Sequence, residues 1–508
     1  MTTDEPLNVG ISTDPRGNVR RQLVIGFIAT ISSITQGTTL SLSSVILPQI
    51  QVANSTSTLY LTTDEGSWFA SLYSLGYLSG ALIGGFQSDF FGRRRSMMID
   101  NTFAIIGAAI IATANSFYML LIGRYISGYA VGSCIASLPV YLSEISHPKV
   151  RGTLTAVFGA MYYAGTFVLM ALGALLPWRI VVGICGSVPF ITITGLFFCP
   201  ESPIWLLRHG KKDEAIRVLV YFRGSQEAAN EELISMENNL KKAKMHHDEE
   251  MEPTFLLTVK HHIKDLRKPT FWKPFALIMF LLPVVQNWSG MPFISFYMVS
   301  FIDNMKIPMD PYVASSILCF IRLIFGISSV KLLTVFSKKK MYLKIFMTMI
   351  FSNSSIALHQ YLFEEGYFKA WGIADTQFIR WLPFALIMLL YGSVSLGYGS
   401  ITRTLQGELL PANKRSLGCG IIGFSDGLSI FFVVKISPAL SELIHVYGCF
   451  AIFVIALVFG AIVAYIFLPE TKGHSLEEIE KYYHNSSISK KESKAQSLER
   501  EEETTAPP

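Results

Sequence analysis

Apolar runs of about twenty residues follow one another from residue 22 to residue 468, each closed by a short polar or charged phrase. Twelve such runs are read, at roughly 22–46, 66–89, 96–114, 116–138, 153–176, 179–199, 273–301, 312–334, 341–362, 381–404, 416–438 and 447–468. A helix of that length rises about 30 Å, the thickness of a bilayer's hydrocarbon core. Inside lipid the backbone must satisfy its own hydrogen bonds, and only helices and closed barrels do so. The runs are continuous rather than alternating, which excludes a barrel. The pattern therefore predicts an all-α membrane protein with twelve transmembrane helices. The first run follows a polar leader, is too long for a signal-peptide core and lacks a small-residue cleavage site, so it is read as a span.

The phrases between the runs repeat. "YLSEISHPKVRG" (Tyr141 to Gly152) and "QGELLPANKRSLG" (Gln406 to Gly418) each set a Glu seven residues before an Arg, Glu144 with Arg151 and Glu408 with Arg415, and the second pair trails the first by 264 residues. "PESP" at Pro200 and "PETKG" at Pro469 echo one another at an offset of 269 residues, after the sixth and the twelfth run. Two six-helix halves in the same orientation explain both echoes, the parallel-repeat plan of carriers that rock two halves about a central site. The expected organisation is an N-terminal tail at 1–21, a first half at 22–199, a helical linker at 200–270, a second half at 271–468 and a tail at 469–508, the last mostly disordered.

Composition narrows the picture. The chain is 51% hydrophobic and only 16% charged, with a mean hydropathy of +0.41, which excludes an ordinary soluble protein. The net charge of +5 matters less than its placement. With the N-terminus in the cytosol, the inner loops hold "GRRR", "HPKVR", the 200–270 insert, "SKKK" and "NKR", and the outer loops hold only Arg179, Lys306, Lys369 and Arg380. That asymmetry fixes the orientation, both termini cytosolic. Asn54 then stands in an N-glycosylation sequon of the first outer loop. The linker's charges alternate in sign on helix-favouring residues, and its His246–His247 and His261–His262 pairs read as solvated surface. The six cysteines fall in or at the ends of runs, without metal spacing, and read as small buried side chains.

Four charged phrases are read at cytosolic helix ends: "GGFQSDFFGRRRS" (Gly84 to Ser96), "LIGRYISG" (Leu121 to Gly128), "SEISHPKVRG" and "GELLPANKRS". In a partly dehydrated interface between halves, acid–Arg pairs that form in one state and break in another bias the equilibrium between states. Asp89, Arg93, Arg94, Arg124, Glu144, Arg151, Glu408 and Arg415 are the gating candidates on this reading.

At these residues the chain resembles the sugar-porter family of the major facilitator superfamily. The resemblance rests on Gly85, Asp89, Gly92, Arg93 and Arg94; on Gly123–Arg124; on Pro139, Tyr141, Glu144, Arg151 and Gly152; on Pro200 to Leu206; on Glu408, Pro411 and Arg415; and on "PETKG". "GSWFASLYSLGYLSGALIGG", "SLPVYLSEISHPKVRGTL" and Lys435 after "FSDGLSIFFVV" look most like the insect facilitated trehalose transporters. The resemblance implies the major facilitator fold, no enzymatic activity, and a facilitative, alternating-access carrier of a sugar such as trehalose or a hexose in the plasma membrane. It implies a small-molecule solute and the lipid bilayer as partners, with no cofactor, no metal and no nucleic acid.

The ligand region departs from the family pattern. The seventh-span motif survives as "QNWSGMP", keeping Gln286, Asn287, Ser289 and Gly290 but with Pro292 where family members carry Asn. In the tenth span "GYGSITR" puts Arg403 at the family's Trp, Gly159 stands at a fifth-span position that often holds Gln, and the eleventh span has Asp426–Gly427. Gln286, Gly290, Phe293 and Tyr297 recur at helical spacing and are read as one solute-facing stripe, with Pro292 marking a kink. Arg403 and Asp426 complete the candidate solute site, and a pairing of the two is expected because a lone charge at mid-depth is costly. The first span carries no acid, and Asp426 is read as the one deep acid, so gradient-independent transport is expected. Two rival readings remain open here: a carrier of a non-sugar organic solute or anion, favoured by Arg403 and Lys435, and a non-transporting nutrient sensor, favoured by the altered pocket.

Overall fold

A computed structural model describes residues 18–51, 59–250, 269–335, 337–373, 376–398, 401, 402, 405, 409, 410 and 415–470. The first six spans are Val19–Ile50, with a turn at Ile31, then Thr63–Phe91, Arg93–Ala112, Phe117–Ile145, Val150–Gly173 and Trp178–Phe197. The seventh to tenth are Phe271–Asn304, Pro311–Val335, Lys338–Glu364 and Gln377–Tyr398. One helix, Arg415–Phe467, supplies the remaining apolar length. Its 53 residues would extend about 80 Å, more than twice a hydrocarbon core. It breaks at His445, where φ is 61° and ψ 171°, and so divides into the eleventh and twelfth spans. The His445 Nδ1 lies 3.3 Å from Glu364 Oε2, which sets the break level with the end of the ninth span.

Local chemistry starts several of these helices. Thr62 and Glu65 form a reciprocal capping box at the second span, Glu65 N–H donating to Thr62 Oγ1 and Thr62 N–H to Glu65 Oε2. Ser116 and Ser337 cap the fourth and ninth spans through their hydroxyls. The assembled bundle inverts the distribution of a soluble protein. Phe86, Phe190, Phe197, Phe351, Ile455 and Tyr465 face outward, while Ser33, Ser74, Arg124, Asp100, Asn287 and Asp426 are buried. Apolar side chains that meet hydrocarbon and polar ones that meet each other are the arrangement a bilayer requires. The molecule is a multi-pass membrane protein.

The first six and last six spans meet along three seams, first with seventh, second with eleventh, and fifth with eighth. After the first six come three further helices, Pro203–Arg208, Lys212–Arg223 and Gln226–Glu250. They share a small core of Trp205, Leu206, Ala215, Leu219, Ala229 and Leu233, and Phe222 O accepts from Asn18 N–H and Gln22 Nε2 at the start of the first span. The bundle therefore has two ends, one carrying Arg93, Glu144 and these helices, the other carrying Asp64 and Lys435.

Candidate functional site

Arg93 organises the Glu144 end. Its Nε and Nη2 donate to the two Glu144 oxygens at 3.1 and 3.3 Å, and its Nη1 donates to Asp89 Oδ1 at 2.8 Å and to Ser88 O at 3.0 Å. Ser202 Oγ, in "PESP", also donates to Glu144. Glu201 turns back onto the start of the third span and accepts Arg94 N–H at 3.0 Å, an acid at a helix N-terminus where unpaired N–H groups favour it. Arg94 Nη1 reaches Cys199 O at 2.9 Å. Gly92 makes the turn possible with φ 96°, and a Cβ there would sit 2.5 Å from Glu201 Oε2. The second half repeats the device, since Glu470 of "PETKG" accepts from Ser337 Oγ at the N-cap of the ninth span. Glu201, Ser202 and Glu470 were not among the sequence candidates, and the echo of the two phrases was the signal that could have found them.

Two gating candidates lie elsewhere. Arg124 is fully buried, but it sits near the start of the fourth span, twenty residues and about 30 Å from Glu144 at that helix's far end. Its Nη1 and Nη2 donate to the Thr39 and Leu40 carbonyls, and its guanidinium lies over the rings of Tyr73 and Phe69 at 4.9 and 5.4 Å. The even-numbered spans begin at the Asp64 end, which is why "LIGRYISG" is not a Glu144-end phrase. Arg151 is exposed and donates to Ser143 O at 3.0 Å, so the partner of Glu144 is Arg93 and not the Arg of its own phrase. Glu408 and Arg403 lie outside the described residues, as do Asn54 and the side chain of Arg415.

The candidate solute region is built on two interrupted helices. The seventh span loosens into a π-helix at Phe280–Gln286, tightens into a 3-10 turn at Asn287–Ser289, and breaks at Gly290 with φ 85°. Pro292 stands in the first turn of the helix that resumes at Met291, where its missing N–H costs nothing, so the break belongs to Gly290 rather than to Pro292. The tenth span has its own π-helix at Val394–Tyr398, with Gly397 at φ 153°, although both family prolines are gone. Such interruptions free backbone and side-chain groups, and they recur at functional sites.

The break also dissolves the single stripe expected from helical spacing. Phe293 is buried among Phe301, Phe450 and Phe453, and a Cβ on Gly290 would meet Phe453 at 2.8 Å. These two positions face the twelfth span. Tyr297 donates from its hydroxyl to Val434 O at 2.9 Å, toward the eleventh. Asn287 and Asp426 are brought together, Asn287 Nδ2 donating to Asp426 Oδ1 at 2.9 Å and to its carbonyl at 3.3 Å. Ser289 Oγ donates to Gln286 O at 2.6 Å, and among the described residues Gln286 Oε1 is buried without a hydrogen-bond partner.

Two charged residues that sequence reading passed over are set deep in the bundle. Asp100, 1% exposed, accepts from Gln87 Nε2 at 2.8 Å and from Ser137 Oγ at 3.4 Å, so Asp426 is not the only deep acid. Arg322 stands midway along the eighth span, half-buried, with its guanidinium over the rings of Tyr163 in the fifth span and Tyr391 in the tenth, at 5.0 and 5.5 Å.

At the Asp64 end the two halves are joined. Lys435 Nζ pairs with Asp64 Oδ1 and donates to Ser67 Oγ at 2.7 Å, and it lies 4.7 Å from the centre of the Trp68 ring. Ser43 Oγ donates to Phe296 O at 2.9 Å, and Val299 N–H donates to Ser44 Oγ at 3.1 Å. Among the described residues, the hydrogen bonds and ion pairs between the halves gather at this end, whereas the Arg93–Glu144 network stays within the first half and the segment that follows it. Lys435 is therefore engaged by Asp64 and gives no support to an anion carrier.

Comparison with known proteins agrees with this architecture. The family model described as "Sugar (and other) transporter" matches residues 25–483. Solute carrier family 2, facilitated glucose transporter member 6 of Homo sapiens is 28% identical over 486 residues, covering 91% of this chain and 91% of its own. Facilitated trehalose transporter Tret1 of Apis mellifera ligustica is 28% identical over 463 residues, covering 91% of this chain and 88% of its own. The solved structure of the major facilitator superfamily proton:xylose symporter XylE, bound to 6-bromo-6-deoxy-D-glucose, superposes with a TM-score of 0.69 at 18% identity, over 92% of this chain and 100% of that one. The fold is thus that of the major facilitator superfamily, and with a family model spanning all twelve helices the chain belongs to the sugar (and other) transporter family.

Proposed function

We propose that the protein is a facilitative carrier that moves a sugar, such as trehalose or a hexose, across the plasma membrane by alternating access, with both termini in the cytosol. The observation that carries this reading is the one-sided joining of the halves. Lys435, Asp64 and the Ser43–Phe296 and Ser44–Val299 bonds tie them at one end, while Arg93 and Glu144 at the other end are satisfied inside the first half. Lysine and arginine in the loops put the joined end outside. The reading assigns residues 22–199 and 271–468 to the two moving halves and 200–270 to a cytosolic linker.

The solute is held, on this reading, by Gln286, Asn287, Ser289 and Tyr297 of the interrupted seventh span, by Asp426 of the eleventh, and by Arg403. Gln286 Oε1 supports it, as a buried acceptor left for a hydroxyl donor. Asp89, Arg93, Arg94, Glu144, Glu408 and Arg415 close the cytosolic side when the outer side opens, and Asn54 carries a glycan. The names of the glucose and trehalose transporters among the relatives support both the solute class and the facilitative mode.

A panel of neutral and acidic sugars screened by thermal shift on the purified protein tests the solute class. At least one sugar raises the unfolding temperature in a saturable way, and Gln286→Leu weakens that response. A panel in which no sugar stabilises the protein, while an amino acid or a nucleoside does, contradicts the reading.

A further inference from the structure

Arg322 is a charged feature of the interface that a neutral sugar does not require. It lies midway along the eighth span, on the face that carries the buried residues Ser315, Leu318, Cys319, Gly326 and Ser329. Its guanidinium bridges the two halves, with Tyr163 from the first and Tyr391 from the second on either side. In a carrier built of two repeats, this middle depth on the seam between halves is where solute binds.

Among the described residues Arg322 makes no ion pair, and its Nε is buried without a hydrogen-bond partner. The tyrosine beside it, Tyr391, is already engaged with Ser295 at 3.3 Å. The deep acids lie elsewhere, Asp100 among Gln87 and Ser137 in the first half and Asp426 on Asn287. Charged groups at this depth are costly, and they persist where they serve a solute path or a partner. Ring faces offset part of that cost, but they leave the fork of N–H donors unused. A guanidinium fork matches a carboxylate or a phosphate in a way that a hydroxyl does not.

We propose that Arg322 is an anion-recognition residue in the solute path, and that the favoured solute is a sugar bearing a negative group, a carboxylate or a phosphate. The proposal rests on the sugar-carrier reading and narrows its solute class. The ring contacts then orient the guanidinium in the empty carrier, and the anion takes the donors that the rings leave free.

The test is competition binding on the purified full chain with glucose, glucuronate and glucose 6-phosphate, repeated on Arg322→Gln and Arg322→Lys. In the unaltered protein at least one of the two anions binds about tenfold or more tighter than glucose, the worth of one charge-assisted hydrogen bond. Glucuronate alone points to a uronate and glucose 6-phosphate alone to a phosphate. Arg322→Gln lowers the affinity for the preferred anion about tenfold or more relative to that for glucose, and Arg322→Lys keeps part of the preference. Glucose binding as tightly as both anions in the unaltered protein overturns the proposal and leaves the sugar reading standing, whether or not the variants fold. An equal loss of all three sugars in Arg322→Gln also overturns it, because Arg322 then acts only as a strut between Tyr163 and Tyr391. Failure of all three, and of trehalose, to bind the unaltered protein overturns the sugar reading itself.

Discussion

Single residues divide by whether a motif announced them. Glu144 and Arg93 were legible because their phrases repeat or match a family pattern, and the structure brings them within 3.1 Å. Arg124 was legible as a candidate residue but was assigned to the wrong end, since the phrase alone does not say which way its helix runs. Arg322 and Asp100 were not legible. Each is one charge inside an apolar run, and only packing distinguishes such a charge from one that reaches water along its own stem. Asn287 and Asp426 were singled out separately, and the structure joins them. Asn287→Leu removes a donor from a buried carboxylate and should lower stability by about 1–3 kcal/mol. Ser289→Ala, which deletes only a bond to Gln286 O, should cost less, about 1 kcal/mol. Thermal unfolding of the two purified variants checks the order, and an unaffected Asn287→Leu protein would show that Asp426 does not depend on that amide.

Whole helices were the most legible level, because length and continuity of apolar character decide whether a segment spans a bilayer. Twelve runs were read, and the described residues form eleven spanning helices, the last of which divides at His445 into the eleventh and twelfth spans. Interruptions were less legible. Pro292 advertised the break in the seventh span, yet the chain turns at Gly290, and the tenth span opens at Val394–Tyr398 with no proline to signal it. Spacing arguments assume an unbroken helix, so the expected stripe failed where the helix did. Gly290→Ala tests the break directly. Its φ of 85° strains any side chain, and the new Cβ would meet Phe453 at 2.8 Å. A loss of about 2–4 kcal/mol is expected from the two effects together. Gly159→Ala is the control, since a Cβ there meets nothing within 4 Å and alanine favours helix. Equal stability of the two variants would mean that the break relaxes freely.

At the scale of the molecule, the repeat of phrases foretold two halves, but not which end would be joined. That depends on contacts between residues hundreds of positions apart, such as Asp64 with Lys435. Exposed ion pairs are worth about 0–1 kcal/mol, and Asp64 is 75% exposed, so this pair biases an equilibrium rather than locking it. Lys435→Gln should raise by a few-fold the rate at which an impermeant thiol reagent labels a cysteine introduced at Ser43, in a background without the native cysteines. An unchanged rate would show that the Ser44–Val299 contact, which the substitution at Ser43 leaves in place, holds the end closed unaided.

The proposed carrier lets a sugar equilibrate across a membrane without another gradient, and influx into proteoliposomes measures that equilibration. Labelled glucose, trehalose and glucuronate are offered to vesicles carrying the purified protein, with and without a protonophore. At least one of the three should fill the vesicles to the outside concentration, faster than in protein-free vesicles and at the same rate in both conditions. Influx of none of them through folded protein, or influx that collapses with the protonophore, would contradict the account.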